Sequence, residues 1–251
     1  MALASVPKHM SEAEWSARVD LAAAYQLTDL YGWTDMAGTH ISARIPGTDE
    51  FLLNPFGLFF EEITASSLIK VDCDGNLFSD SEYPINPAGF IIHSAVHMGN
   101  PTAHCVMHTH TRAGNAVAMQ SEGLLPITQK ALILEPFLSY HDYEGIALNE
   151  DEKPRLVADL GDCKFLILRN HGLLTVGESI PEAVLYMYAL ETACQTQIAA
   201  QSGGNELVHV PDAIVQGIRA QVDLVLKGSG AELAWPGLLR KLDRLDPYFR
   251  D

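Results

Sequence analysis

The stretch CVMHTHTRAG, residues 105–114, joins a short apolar run to two histidines, His108 and His110. Side chains two residues apart on a β-strand project from the same face of the sheet. The pattern therefore predicts a buried strand that offers two imidazole nitrogens to one metal ion. The spacing alone is a weak signal, because a strand can carry two such histidines without binding a metal.

A third histidine strengthens the metal hypothesis. Seven of the ten histidines lie between His93 and His171. His171 follows an apolar run in LILRNHGLL and precedes Gly172, a residue type that lets a backbone approach closely. Three histidines from two strand ends would form an open site with a position left for water or substrate. The alternative for His171 is a turn or helix-cap residue.

Length and charge limit the class of protein. The 251 residues, 47% of them hydrophobic, are enough for one sizeable core. A net charge of −16 argues against nucleic acid or an acidic membrane surface as a partner. No run approaches the ~20 apolar residues that cross a bilayer, and no signal peptide is recognisable at the N-terminus. Four scattered cysteines indicate reduced thiols, so we expect a cytoplasmic protein.

Strand-like and helical segments alternate along the chain, which predicts an α/β fold. Ser11 and Glu14 form a capping-box signature, and the helix that they open should end near Gly32. The segment ALILEPFLSY, residues 131–140, reads as strand pieces. We expect one domain over residues 1–205, with residues 206–251 as a C-terminal helical extension of it that is suited to subunit contacts.

Five motifs, in order, resemble the class II aldolase/adducin family. They are AGTHISARIPG, FLLNPFGLFFEEITASSLIKVDCDGN, INPAGFIIHSAVH, CVMHTHTRAGNAVA and FLILRNHGLLTVGES. The resemblance implies a single three-layer α/β/α domain around a central, mainly antiparallel sheet. It also implies a homotetramer with its active site between subunits, and one divalent metal ion held by His108, His110 and His171. The sequences of the short motifs are similar to those of the adducin head, a cytoskeletal interaction module. Because all three ligand positions are histidine, however, the chain resembles a stand-alone bacterial-type relative with an intact metal site.

Three departures from the family pattern bear on the substrate. The resemblance places Gly89 where such aldolases carry an acid/base glutamate, and Pro87 and Ala88 where they carry phosphate-binding serines. His40 stands where the early phosphate loop is expected to have asparagine. These losses remove the anchor of a phosphate dianion, and they imply a non-phosphorylated substrate.

A replacement acid/base is expected from one of two places. The motif SYHDYEG holds His141 and Asp142 and resembles the proton-transfer stretch of the family's epimerases. The alternative is a turn in which Asp142 caps backbone amides. His40 is the other candidate, because a neutral imidazole titrates near working pH. Its alternative is a strand histidine that is satisfied by the backbone.

The missing side chain at Gly89 predicts a gap beside the metal ion. We expect His40, Asn54 and Phe90 to line this gap, and Gly57 to join the substrate-binding set. A bulkier or flatter substrate, aromatic or a keto acid, would then lie against the backbone. His93 and His97 are four residues apart on one helix face. Contact with the metal pocket is one alternative for them, but this spacing is more often typical of packing and solvent exposure.

Three functions remain open. The leading hypothesis is a divalent-metal-dependent lyase that performs aldol cleavage or decarboxylation through a metal-bound enolate, with zinc, manganese, cobalt or ferrous iron. The second is a non-haem iron oxygenase on the same scaffold, although the usual ligand triad of that class includes a carboxylate. The third is an adducin-like interaction module with a vestigial metal site.

Overall fold

The computed structural model describes residues 6–8, 10–79, 81–226 and 230–251. Seven strands in the described residues form one open mixed sheet with the order β3-β2-β1-β4-β7-β6-β5. All neighbouring strands are antiparallel except β5 and β6, which are parallel. The strands are β1 (His40–Arg44), β2 (Glu50–Leu53), β3 (Ile69–Asp72), β4 (Cys105–Thr109), β5 (Leu138–His141), β6 (Phe165–Leu168) and β7 (Gly172–Gly177).

Helices cover both faces of this sheet. They are α1 (Glu12–Leu30), α2 (Pro87–Gly99), α3 (Arg112–Ala118), α4 (Gln129–Leu134), α5 (Lys153–Leu160), α6 (Ile180–Ser202), α7 (Asp212–Leu226) and α8 (Gly230–Leu245). Along β6, Phe165 and Ile167 join the core beneath α1 and α6, whereas Leu166 and Leu168 join the core beneath α2 and α5. This alternation follows from the two-residue period of a strand. The three-layer α/β/α fold with a mainly antiparallel sheet is therefore confirmed.

Helix α1 begins where the sequence predicts. The Ser11 side chain accepts a hydrogen bond from the backbone amide of Glu14 at 3.1 Å. The Glu14 carboxylate contacts Arg18 at 3.0 Å, and the buried Arg18 guanidinium also donates to the carbonyls of Ala65 and Leu68. The start of α1 is thereby fixed to the loop before β3.

The segment 131–140 differs from the prediction. Its first half is the end of α4, because the Thr128 side chain accepts from the amide of Ala131 at 3.1 Å and caps a helix there. Pro136 follows in a short 3-10 turn, and only Leu138–His141 is strand. An apolar run of this length does not by itself distinguish a buried helix from a strand.

The C-terminal segment packs back onto the main core. The Trp235 indole of α8 donates to Asp20 of α1 at 2.9 Å, and Trp235, Leu242 and Phe249 are buried in the cluster that contains α1 and α6. The boundary at residues 205 and 206 stays a prediction. Over the described ranges, no helix is both long and apolar enough to cross a membrane.

Candidate metal centre

Strand β4 carries His108 into the centre of the sheet. It lies between β1 and β7, and its residues 105–109 are all buried. His108 is the cross-strand partner of His40 on β1 and of Leu174 on β7. His110 follows just beyond the end of the strand and is partly exposed.

The hairpin between β6 and β7 brings in His171. Asn170 adopts a left-handed conformation with φ of 56°, which asparagine tolerates better than most residues and which reverses the chain between the two strands. At Gly172, a Cβ atom would lie 2.5 Å from the carbonyl oxygen of Thr109 and 3.2 Å from the His108 ring. Glycine is therefore what allows this turn to approach β4 closely enough for His171 to face His108.

The structure brings the three predicted ligand residues together. One ring nitrogen from each of His108, His110 and His171 lies within 4.8 Å of the others. The ring centroids are 4.6 Å apart for His108 and His110, 4.8 Å for His108 and His171, and 4.9 Å for His110 and His171. One ion could contact all three nitrogens at this separation, since metal–imidazole bonds are roughly 2.0–2.1 Å long.

Hydrogen bonds at the far side of two rings select the nitrogens that face the centre. The Nδ1 atom of His108 lies 2.9 Å from the carbonyl oxygen of Leu173, and that of His110 lies 2.9 Å from the Asp35 carboxylate. Each Nδ1 must donate to an oxygen, so a neutral ring has a bare Nε2. These two Nε2 atoms are 2.8 Å apart. Two facing lone pairs repel unless a proton or a cation lies between them, so the donor set fits a metal ion.

Burial favours the neutral, ligating form of two of these rings. It holds the pKa of His108 well below its ordinary value, with neighbouring histidines adding to the effect. Burial, followed by the proximity of His110 and His141, lowers the pKa of His171 to about 4. Neither ring has to lose a proton at neutral pH before it binds a metal ion.

His40 occupies the place where the sequence predicts a gap. A Cβ atom at Gly89 would lie 2.6 Å from Cδ2 and 2.9 Å from Nε2 of the His40 ring. The His40 ring lies 5.0 Å, centroid to centroid, from that of His108. The predicted gap beside Gly89 is therefore wrong, because the imidazole of His40 fills it. The His40 side chain bonds to His93 rather than to the backbone.

His141 and Asp142 lie near His171, and all three residues line one small cleft. Nδ1 of His141 is 2.7 Å from the Asp159 carboxylate, and Nε2 is 3.4 Å from that of Glu152. His141 is buried and, among the described residues, its Nε2 has no hydrogen-bond partner. Asp142 is exposed and, with His171, lines a small cleft.

Two of the predicted substrate-binding residues have structural contacts of their own. Asn54 is buried with its side-chain oxygen 2.9 Å from the Tyr25 hydroxyl. Phe90 stacks on Phe51 at 6.3 Å between centroids, in a separate apolar cluster beside β2 and β3.

Gly57, the remaining predicted substrate-binding glycine, has a φ of 138°, and a Cβ atom there would meet the Tyr83 ring at 2.7 Å. It therefore permits close packing of the loop after β2. A role for Gly57, Asn54 or Phe90 in substrate binding stays a prediction.

Sequence reasoning missed two acidic residues near the candidate ligands. Asp35 orients His110 from the loop after α1, 75 positions away along the chain. Glu191 of α6 is hydrogen-bonded to Thr111, and burial raises the pKa of its carboxyl group. Acidic residues at variable distances from a histidine motif give no spacing signal. Glu191 also lines an open groove of about 840 Å³ beside His110, together with Trp33.

Comparison with known proteins agrees with this geometry. The family described as Class II Aldolase and Adducin N-terminal domain matches residues 19–198. A protein of Pseudomonas aeruginosa named "Putative aldolase class 2 protein" is 56% identical over 250 residues, which cover 98% of this chain and 96% of that protein. Mouse alpha-adducin is 42% identical over 243 residues, which cover 91% of this chain and 33% of the adducin.

Solved structures resemble the whole chain. An aldolase II superfamily protein from Pseudomonas syringae has a TM-score of 0.93 with 50% identity, covering 99% of this chain and 100% of that one. The L-fuculose 1-phosphate aldolase of Glaciozyma antarctica has a TM-score of 0.79 with 25% identity, covering 98% and 97%. Motifs, fold and relatives thus agree, and the chain belongs to the class II aldolase and adducin family.

Proposed function

We propose that this protein is a divalent-metal-dependent carbon–carbon lyase that performs aldol cleavage or decarboxylation. The observation that carries the proposal is the convergence of His108, His110 and His171 within 4.8 Å, with two bare nitrogens facing each other. A divalent ion held there, whether zinc, manganese, cobalt or ferrous iron, supplies a Lewis acid for a carbonyl or carboxylate oxygen.

The chain's own residues prepare this centre. The Leu173 carbonyl and the Asp35 carboxylate hold His108 and His110 in the tautomer that presents Nε2. Such partners behind a ligating imidazole fix its orientation and raise its basicity. The groove beside His110 offers space for a substrate on one side, and the cleft with Asp142 borders His171 on the other.

The start of α2 supports a non-phosphorylated substrate, such as a keto acid or an aromatic compound. A helix N-terminus binds phosphate through its free backbone amides. Here the side-chain oxygen of Asn86 already accepts from the amides of Ala88 at 3.0 Å and Gly89 at 3.3 Å. Pro87 has no amide hydrogen to offer. The helix end next to His40 therefore has little capacity left for a phosphate dianion.

We assign the acid/base role to the cluster of His141 and Asp142. The Asp159 carboxylate orients His141, whose free Nε2 faces Glu152, and Asp142 lies exposed on the rim beside His171. General acid or base catalysis needs a titratable group within reach of the substrate, and the position of Asp142 in one cleft with His171 supports that role. We further propose a cytoplasmic homotetramer with the centre near a subunit boundary, on the family resemblance.

The test combines metal analysis with a product assay. The protein, purified without chelators, is analysed for bound metal next to His171→Ala and, as a control, the exposed His209→Ala. We expect one divalent ion per chain in the wild type and in His209→Ala, and a large loss in His171→Ala. A panel of unphosphorylated hydroxy-keto acids is then screened for release of carbon dioxide or aldehyde, beside fuculose and ribulose phosphates.

The other hypotheses have distinct outcomes in the same experiment. Bound iron with oxygen uptake would favour the oxygenase. A chain without bound metal, and without metal-dependent turnover, would favour an interaction module of the kind that the adducin relatives suggest. Efficient cleavage of a sugar phosphate would refute the non-phosphorylated substrate class.

A further inference from the structure

A ladder of buried polar side chains joins β1 to α2 beneath the candidate metal centre. His40 and Ser42 come from β1, and His93 and His97 come from α2. Consecutive members lie within hydrogen-bond distance: His97 Nε2 to Ser42 Oγ at 2.7 Å, Ser42 Oγ to His93 Nδ1 at 2.5 Å, and His93 Nε2 to His40 Nδ1 at 2.8 Å. All four side chains are buried, so the expectation that His93 and His97 are packing residues misses their polar role.

The far end of the ladder sets the direction of its hydrogen bonds. Nδ1 of His97 lies 2.8 Å from the carbonyl oxygen of Ala103. A carbonyl only accepts, so Nδ1 of His97 carries the proton and its Nε2, in the neutral ring, is bare. The Ser42 hydroxyl must then donate to His97, and its oxygen is left to accept from Nδ1 of His93.

The same logic continues to His40. With its proton on Nδ1, neutral His93 has a bare Nε2, so Nδ1 of His40 must donate to it. The partners along the ladder are a carbonyl, a hydroxyl and imidazoles, with no carboxylate to compensate a buried imidazolium. Consistently, burial lowers the pKa of His97 to about 3. Neutral His40 therefore has its lone pair on Nε2.

The His40 ring lies beside the candidate centre, with its centroid 5.0 Å from that of the His108 ring. Its Cδ2 and Nε2 atoms pack against Gly89, the residue on α2 that has no side chain. Among the described residues, no side chain or backbone group makes a hydrogen bond to this nitrogen. A group that is fixed in orientation, neutral and without a protein partner is suited to accept a hydrogen bond from a ligand.

We infer that Ser42, His93 and His97 are positioning residues that hold His40 as the Nδ1–H tautomer, and that its bare Nε2 accepts a hydrogen bond from a substrate hydroxyl. The inference rests on the proposed function for the location of the substrate. It narrows the substrate to compounds with a hydroxyl group near the oxygen that binds the metal ion. A ketone or acid without that hydroxyl would leave Nε2 unpaired.

Nitrogen NMR of the full chain tests the tautomer directly. Protein labelled with ¹⁵N in its histidines is measured with and without zinc, and resonances are assigned with single His→Asn variants. We expect a protonated Nδ1 and a bare Nε2 for His40, His93 and His97 in both samples. A proton on Nε2 of His40, or a doubly protonated ring at neutral pH, would overturn the inference even in a protein that binds zinc normally.

A pair of serine variants tests the ladder. Ser42→Ala removes the central link, so we expect His40 and His93 to become tautomer mixtures while zinc content is unchanged. Ser94→Ala is the matched control, because Ser94 is an equally buried hydroxyl on α2 that bonds only within its helix. Identical tautomers in Ser42→Ala and wild type would refute the positioning role. If Ser42→Ala does not fold, the wild-type spectrum still decides the tautomer.

A pair of small probes tests the acceptor role. Glycolate and acetate share a carboxylate, but only glycolate has a hydroxyl group. With zinc bound, we expect glycolate to shift the Nε2 resonance of His40 and acetate to leave it in place. Equal effects of the two probes would contradict the hydroxyl contact. A chain that binds no zinc would refute the proposed function instead, while the tautomers of the zinc-free sample remain a separate result.

Discussion

Replacing Gly89 by alanine tests the contact that fills the predicted gap. The new methyl group would lie 2.6 Å from Cδ2 and 2.9 Å from Nε2 of His40. The ring cannot turn away freely, because its Nδ1 is held by His93 at 2.8 Å. Either the ring moves and loses that hydrogen bond, or α2 shifts away from β1. Both outcomes disturb the ladder next to the candidate centre.

The expected loss of stability follows from three contributions. Overpacking of a buried site costs about 1–3 kcal/mol. Loss of the hydrogen bond between His40 and His93 adds about 1 kcal/mol. Alanine has a higher helix propensity than glycine, and this stabilises the folded state by about 1 kcal/mol. The net effect is a destabilisation of about 1–3 kcal/mol, and a decrease in Tm of roughly 2–4 °C for each kcal/mol in a chain of this size.

Thermal unfolding at a fixed protein concentration measures the effect. Gly217→Ala on the exposed face of α7 is the control, since a Cβ atom there meets nothing within 4 Å and should leave stability unchanged or improved. When His40 is already replaced by alanine, Gly89→Ala should lower the free energy of unfolding much less. The double-mutant cycle of the two positions should give a coupling energy of about 0.5–3 kcal/mol. The reasoning is refuted if Gly89→Ala is as stable as Gly217→Ala, or if its cost is the same in both backgrounds.

Three further predictions concern pH, turnover and assembly. Because the folded pKa of His97 is about 3 against an ordinary 6.5, its unfolded form binds the proton first, and stability should fall as pH decreases below ~6.5. Between pH 6 and pH 5, urea titrations should show that the free energy of unfolding falls by about 1 kcal/mol less in His97→Gln than in wild type. An equal decrease in the two proteins would mean that His97 is not the group responsible. Asp142→Asn should lower turnover of the true substrate by more than ~10² without changing metal content, and a wild-type rate would show that the chemistry lies elsewhere. Sedimentation at micromolar concentration should give a tetramer, and a monomer would contradict the proposed assembly.

The candidate ligands could be recognised from sequence because their geometry is local. The two-residue period of β4 directs His108 toward the centre, and the short turn RNHG returns the chain beside it, so neither feature depends on distant parts of the molecule. The family motifs then supplied the pairing of these segments. Asp35 could not be found in this way, because its contact with His110 at 2.9 Å depends on how the loop after α1 folds over the end of β4.

The ladder beneath the centre was hidden for a related reason. His93 and His97 have the four-residue spacing of any amphipathic helix, and His40 and Ser42 have the two-residue spacing of any strand. Each pattern alone indicates only a buried face. Their polar meaning arises when α2 packs across β1 in one register, which places the hydroxyl of Ser42 between two imidazoles.

Gly89 and His40 are two halves of a single feature. Considered separately in the sequence, one suggests a lost acid/base and the other a lost phosphate contact. In the structure, the absence of a side chain at Gly89 is what admits the His40 ring, and the ring leaves no room for a longer side chain on α2. A carboxylate cannot be restored at position 89 while His40 keeps its place, because even a Cβ atom meets the ring at 2.6 Å. The imidazole of His40 on β1 therefore takes the space that a longer side chain at position 89 of α2 would need, and in its neutral form it places an uncharged nitrogen there.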